Sequence, residues 1–137
     1  MTVHVWLYVS KSTIPAGDTD RIVGEIVAGA QQRNAALGIS GALVFGDQHF
    51  GQIIEGPPES IMMLRSSILS DTRHTGIRTI TDGRSTGRRF GGWSLAYAGA
   101  SMVVSRALQR ALRDSAQGIE GAGNQLLDLM DEVLAVA

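Results

Sequence analysis

Apolar and polar positions in Val3 to Val9 follow the two-residue period of a β-strand, with Trp6, Tyr8 and Ser10 on one face and Val3, Val5, Leu7 and Val9 on the other. After the turn-forming Pro15-Ala16-Gly17, Asp18 stands where a helix N-cap is expected, and Ile22, Ile26, Val27 and Ala30 follow at helical spacing. This helix is expected to end near Asn34, ahead of the Leu37-Gly38 stop. The runs Ile39–Phe45 and Phe50–Glu55 flank Gly46-Asp47-Gln48-His49 and predict a hairpin with a short loop. Gly56-Pro57-Pro58 followed by Glu59 opens a second helix reaching about Leu69, with Ile61, Leu64, Ile68 and Leu69 inward. Further strands are expected at Arg78–Thr81 and Trp93–Ala98, separated by a basic, glycine-bearing loop from Asp82 to Gly92.

The order β-α-β-β-α-β-β predicts an α+β, ferredoxin-like domain with both helices on one face of a mostly antiparallel sheet. Beyond Gly99, Met102–Leu112 and Gln125–Val136 carry helical periodicity, the second with an apolar stripe of Leu126, Leu129, Met130, Val133 and Leu134. The glycine-rich joint Gly118–Gly123 makes them an antiparallel pair that covers the free sheet face or builds an oligomer contact. Residues 1–98 thus read as the core of the domain and 99–137 as a helical extension of it.

At 137 residues the chain holds one core rather than two. Its 12 basic and 13 acidic residues nearly cancel, which removes the broad positive field of a nucleic-acid grip. The absence of cysteine excludes disulfides and thiolate metal sites, and His4, His49 and His74 lack metal-ligand spacing, so no metal is expected. The apolar N-terminus lacks the basic flank and small-residue cleavage site of a signal peptide, and nothing approaches the roughly 20 apolar residues of a membrane span; a soluble, cytoplasmic protein is expected.

The chemistry lies in polar groups set among apolar ones. An amide offers a carbonyl acceptor and an NH₂ donor, which suits the edge of a planar heterocycle presenting one of each. Asn34 near a helix end and Gln52 on the hairpin are two such amides, and a buried glutamine left unpaired costs about 1–3 kcal/mol. Tyr8, central in an apolar strand, must also satisfy its hydroxyl. Each has a plainer reading: Tyr8 as a satisfied core residue, Asn34 as a helix C-cap, Arg73 and His74 as a solvated helix end, Trp93 as core. Arg84, Arg88 and Arg89 read as a mobile exposed loop. Trp6, two residues before Tyr8 on the same face, reads as core packing or as a competing electron donor.

Taken together, L-Y-V-S at Leu7–Ser10, N-x4-I-S-G-A-L at Asn34–Leu43, F-x-Q-x-x-E-G at Phe50–Gly56, D-x-R-H at Asp71–His74 and R-R-F-x-x-W at Arg88–Trp93 resemble the BLUF family, domains that sense blue light using a flavin. The resemblance covers roughly residues 2–98, in the order of the fold derived above. It implies a non-enzymatic photoreceptor with a noncovalent flavin (FAD, or FMN or riboflavin) between the two helices. Tyr8 would be the electron and proton donor and Gln52 the amide bridging tyrosine and flavin. Asn34 would hold the ring's polar edge, with Asp71, Arg73 and His74 along the cofactor and Ser10, Trp93 and Leu95 relaying the signal. It further implies a homo-oligomer or a separate protein partner, because no effector domain is attached. The sequence departs from the family where Leu95 replaces a frequent methionine and Arg33 a frequent asparagine or histidine. Two other classes compete: a flavin-less ferredoxin-like interaction module, and an acylphosphatase-like hydrolase, against which stands the lack of a glycine-rich phosphate loop before a helix.

Overall fold

The computed structural model describes residues 2–99 and 101–136; side chains from 133 onward lie outside the description, and with them the stripe positions Val133 and Leu134. The elements are β1 (Val3–Ser12), α1 (Thr19–Leu37), β2 (Ser40–Gly46), β3 (His49–Gly56), α2 (Pro58–Ser70), β4 (His74–Ser85), β5 (Ala96–Ala98), α3 (Met102–Ala116) and α4 (Asn124–Val136), with a 3-10 turn at Ala16–Asp18. The sheet order is β4-β1-β3-β2-β5. β1 pairs antiparallel with β3 and β4, β2 antiparallel with β3, and β5 joins β2 in parallel. This is the expected ferredoxin-like α+β arrangement with one added strand.

Local chemistry sets the register on which the site depends. Asp47 and Gln48 both take positive φ, 49° and 60°, which is the backbone of a two-residue type I′ turn and matches the twist of the flanking strands. Gly46 and His49 are therefore already a paired rung, and the same register puts Leu43 opposite Gln52. At Gly41 a Cβ would lie 2.1 Å from the Ile53 carbonyl oxygen, so only glycine fits there.

The period-2 pattern separates two cores. On one face Trp6, Tyr8 and Ile54 pack with Ile61, Leu64 and Ile68 of α2, while Leu43, Phe45, Phe50 and Leu95 pack with Val23 and Ala30 of α1. On the other, Leu7, Val9, Ala42, Val44 and Ile53 meet Val104, Leu108 and Ala111 of α3 and Leu126, Leu129 and Met130 of α4. The C-terminal helices cover the free sheet face. Their approach is close: a Cβ on Gly51 would lie 2.6 Å from a Leu108 methyl.

Several expectations change. α1 continues one turn past Asn34, and Gly38 at φ 69° is the residue in the capping conformation, so Asn34 is no cap. Asp18 holds the N-cap position but makes no capping bond, its carboxylate pairing instead with Arg21 at 3.2 Å. β4 is longer than Arg78–Thr81 because pairing with β1 extends it to Ser85, into the expected loop. Only Ala96–Ala98 of Trp93–Ala98 is strand, and Trp93 is 43% exposed rather than core. Leu69, 57% exposed, lies on the outer face of α2 because Ile61, Leu64 and Ile68 already fill its inner stripe.

Candidate functional site

Tyr8 and Gln52 are direct partners in the β1–β3 ladder, and the buried Tyr8 hydroxyl donates to Gln52 Oε1. A hydroxyl accepts as readily as it donates, so this contact persists if the Gln52 amide turns to present its NH₂. Burial first, and then the Asp71 carboxylate, push the Tyr8 phenol well above its ordinary range, with Arg33 opposing. The phenol therefore holds its proton unless removal of an electron makes it acidic.

Both side chains line a cavity of about 220 Å³ between α1 and α2. Its walls are Ile26, Ala30, Leu43, Phe50 and Ile68, and Glu25, Arg33, Asp71, Arg73 and His74 also line it. Sites that bury a whole drug-sized ligand span roughly 300–1,000 Å³, so this volume suits a planar ring whose substituents extend outward. Arg73 grips Asp71 by several hydrogen bonds, the shortest 2.6 Å, and this lowers the Asp71 carboxyl below its usual range despite some burial. Burial, followed by repulsion from Arg73, lowers the Arg33 guanidinium, which makes no ion pair among the described residues.

His74 is more than a solvated helix end. Its Nε2 lies 2.7 Å from the Ile68 carbonyl, which can only accept, so Nε2 carries the proton; in the neutral ring Nδ1 then accepts from Ser10 Oγ, also at 2.7 Å. Ser10 is thus tied to the end of α2 through the imidazole.

Asn34 is fully buried one turn after Ala30, and does not itself line the cavity. Its Nδ2 donates to the Ser94 carbonyl at 2.9 Å, while Oδ1 is buried without a partner. One turn earlier, Gln31 Nε2 donates to the Leu95 carbonyl at 3.2 Å, and Gly41 N–H donates to that of Trp93 at 3.1 Å. Three consecutive carbonyls ahead of β5 are therefore held by α1 and β2. Leu95 is buried in the same apolar cluster as Leu43 and Phe50, which wall the cavity, whereas Trp93 stands outside the site. Sequence reasoning missed Gln31, although its i, i+3 spacing from Asn34 places both amides on one face of α1.

The loop expected to be mobile is fastened. The buried Glu55 carboxylate accepts from Ser40 Oγ at 2.9 Å, Arg89 N–H at 2.6 Å and Phe90 N–H at 3.0 Å, and Arg88 donates to the Gly38 carbonyl at 2.8 Å. Phe90 can then enter the core beneath α3 and α4.

A family model described as "Sensors of blue-light using FAD" matches residues 3–96. The chain belongs to the BLUF family. Among curated relatives it is 35% identical over 89 residues to the photoactivated adenylate cyclase subunit beta of Euglena longa, an alignment covering 65% of this chain and 10% of that protein. The chain thus spans about a tenth of the length of the cyclase subunits it matches. Among solved structures, the dark state of BlrB, a BLUF protein, aligns at 25% identity and TM-score 0.74, covering 96% of each chain. Klebsiella pneumoniae BlrP1 with FMN and cyclic diGMP aligns at 31% identity and TM-score 0.63, covering 71% of this chain and 25% of that one. BLUF domains sense blue light with a flavin, and residues 3–96 form such a domain; neither the hydrolase nor the flavin-less module is favoured.

The residues present fit that cofactor. The cavity has apolar walls for a flat ring and the Gln52 amide lines it, and Asn34, one turn after the cavity-lining Ala30, carries a buried acceptor Oδ1 without a partner. A buried amide oxygen left unpaired is unfavourable by about 1–3 kcal/mol, which a ligand N–H would relieve.

Proposed function

We propose that Tyr8 and Gln52 form the photochemical switch of this BLUF domain, with Asn34 holding the ring of the flavin and Asp71, Arg73 and His74 flanking it. The observation that carries this reading is the Tyr8 hydroxyl on the Gln52 amide at the edge of a ring-sized cavity. The bound flavin supplies absorption of blue light and, when excited, a one-electron oxidant. Tyr8 gives up an electron, its phenol becomes strongly acidic, and the proton passes to the Gln52 amide in direct contact with it. When the charge returns, Gln52 is left with its donor and acceptor ends exchanged, a state that Tyr8 can satisfy because its hydroxyl serves in either role. The result is an altered hydrogen-bond pattern with no released product, so the chain acts as a sensor rather than an enzyme.

The signal then leaves through the segment that Asn34 and Gln31 hold. A change at the ring edge alters the demand on the Asn34 amide, whose other end carries the Ser94 carbonyl; Leu95, beside Phe50 and Leu43, feels the same change by packing. Ser10, through His74, is a second route, and Trp93 lies on the exposed stretch just upstream of Leu95. The output is a shift in the arrangement of β5 and the helices of 99–137, read by a second copy of the chain or by a separate cytoplasmic partner. FAD is the preferred cofactor, and the Arg33 guanidinium is among the groups that line its site; FMN, which the BlrP1 structure contains, and riboflavin would use the same ring site.

The test is the colour and photochemistry of the purified protein. It should be yellow and shift its flavin absorption reversibly to longer wavelength under blue light. Colourless protein that takes up no added flavin would refute the reading.

A further inference from the structure

Trp6 is buried, and its ring stacks on Tyr8 with centroids 4.6 Å apart and planes 29° from parallel. Indole and phenol are both readily oxidised by one electron, and the stacked contact puts the two rings within direct reach of each other. If Tyr8 is oxidised, as the reading above holds, Trp6 can re-reduce it and end the productive chemistry. Loss by this route needs a definite balance. One electron leaves the indole for the Tyr8 phenoxyl radical, the proton held at Gln52 returns to the phenol oxygen, and Trp6 is left as a radical cation; the first electron stays with the flavin that removed it.

Two neighbours oppose that outcome. The Arg65 guanidinium lies over the Trp6 ring, 4.5 Å from its centroid, where it is favourable for the neutral indole and repels an indole cation. The indole N–H donates to Thr79 Oγ1 at 3.0 Å, a hydroxyl too weakly basic to take the proton and neutralise the radical. Arg65 is itself held in place by Asp82, 2.9 Å away, which also binds His4 at 2.6 Å. We propose that Arg65 is a positioning residue for the photochemistry: its charge over Trp6 confines the oxidising equivalent to Tyr8 and prevents the stacked tryptophan from quenching the switch. This rests on Tyr8 being the site of oxidation. It gives Trp6 the latent donor role, and gives α2 a task beyond lining the cavity.

A test without cofactor is available because the chain has 2 tryptophans and 2 tyrosines. In Trp93→Phe/Tyr97→Phe protein, Trp6 and Tyr8 are the sole pair, and Tyr8 lines an open cavity that a small oxidant can enter. One-electron oxidation of this flavin-free protein by azide radicals, followed by transient absorption, reports where the radical settles. With Arg65 present it should settle on Tyr8; Arg65→Gln should move the balance toward indole by about tenfold or more, and Arg65→Lys should largely restore it. In the flavin-loaded chain, Arg65→Gln should lower the yield of red-shifted product, and Trp6→Phe added to Arg65→Gln should return it. An unchanged radical distribution in Arg65→Gln overturns the proposal, as does a lost yield that Trp6→Phe does not rescue. Failure of the native chain to photocycle at all would instead refute the reading of Tyr8, independently of the radical distribution.

Discussion

Asn34→Leu separates binding from stability, and its effect follows from two atoms. The side chain has nearly the same size, so little cavity forms, but both polar ends are removed. Losing the Nδ2 bond to the Ser94 carbonyl removes about 0.5–1.5 kcal/mol, toward the low end because half-buried Ser94 can turn to water. Removing the unpaired Oδ1 returns about 1–3 kcal/mol of desolvation that the native protein carries without compensation. The flavin-free variant should therefore be as stable as the parent to within about 1 kcal/mol, or more stable. Flavin binding loses the partner for which Oδ1 is kept, about 1–3 kcal/mol, or roughly 5- to 150-fold in Kd. Urea denaturation of the flavin-free proteins and titration of flavin fluorescence measure the two terms. A variant destabilised by 2 kcal/mol or more with unchanged flavin Kd would refute the reasoning, because Asn34 would then be a structural clamp only.

Gly41→Ala places a methyl 2.1 Å from a main-chain oxygen that cannot step aside, whereas at Gly51 the nearest atom is the end of a Leu108 side chain, 2.6 Å away. The first should destabilise by about 3 kcal/mol and the second by about 1, measured by denaturation; the reverse order would contradict the packing described for the hairpin. Asp71, lowered mainly by Arg73, binds protons less readily folded than unfolded, so its contribution is complete above the ordinary carboxylate pKa of about 3.9 and is lost as the pH falls through its lowered folded value. The stability difference between the parent and Asp71→Asn should accordingly hold steady from about pH 6 to about 4 and shrink as the pH is taken below about 4; a difference that stays constant below that point would show that the pair does not act this way. Gln31→Leu frees the Leu95 carbonyl, and amide hydrogen exchange at Ala96–Ala98 should speed up without loss of flavin. Unaltered exchange there would remove Gln31 from the path to β5.

Strands β1 to β3, their hairpin and helices α1 and α2 were legible because each carries a clean period, and the Asp47-Gln48 turn follows from pairing apolar runs on either side. Leu69 was misplaced because a fourth apolar residue at helical spacing looks inward whether or not the stripe is already full. Asn34 read as a cap since asparagine suits that place; Gly38 takes it, and the freed amide is what gives Asn34 its buried, half-satisfied position. The fastening of Arg88–Phe90 by Glu55 joins residues some 34 positions apart, which no local pattern reports. Trp93 and Leu95 sit on adjacent turns of chain with opposite fates because β5 begins only at Ala96. Arg65, one of many helix-surface arginines by sequence, gains meaning only when α2 lays it over Trp6.

The central claim is that Tyr8 supplies the electron and proton and that Gln52 records the event. Tyr8→Phe changes one atom of that pair and leaves the cavity walls in place. Ultraviolet–visible difference spectroscopy of the flavin-loaded variant, before and after blue light, is the most direct measurement. The account predicts bound flavin with no red-shifted product; a red shift of the parent's size would contradict it.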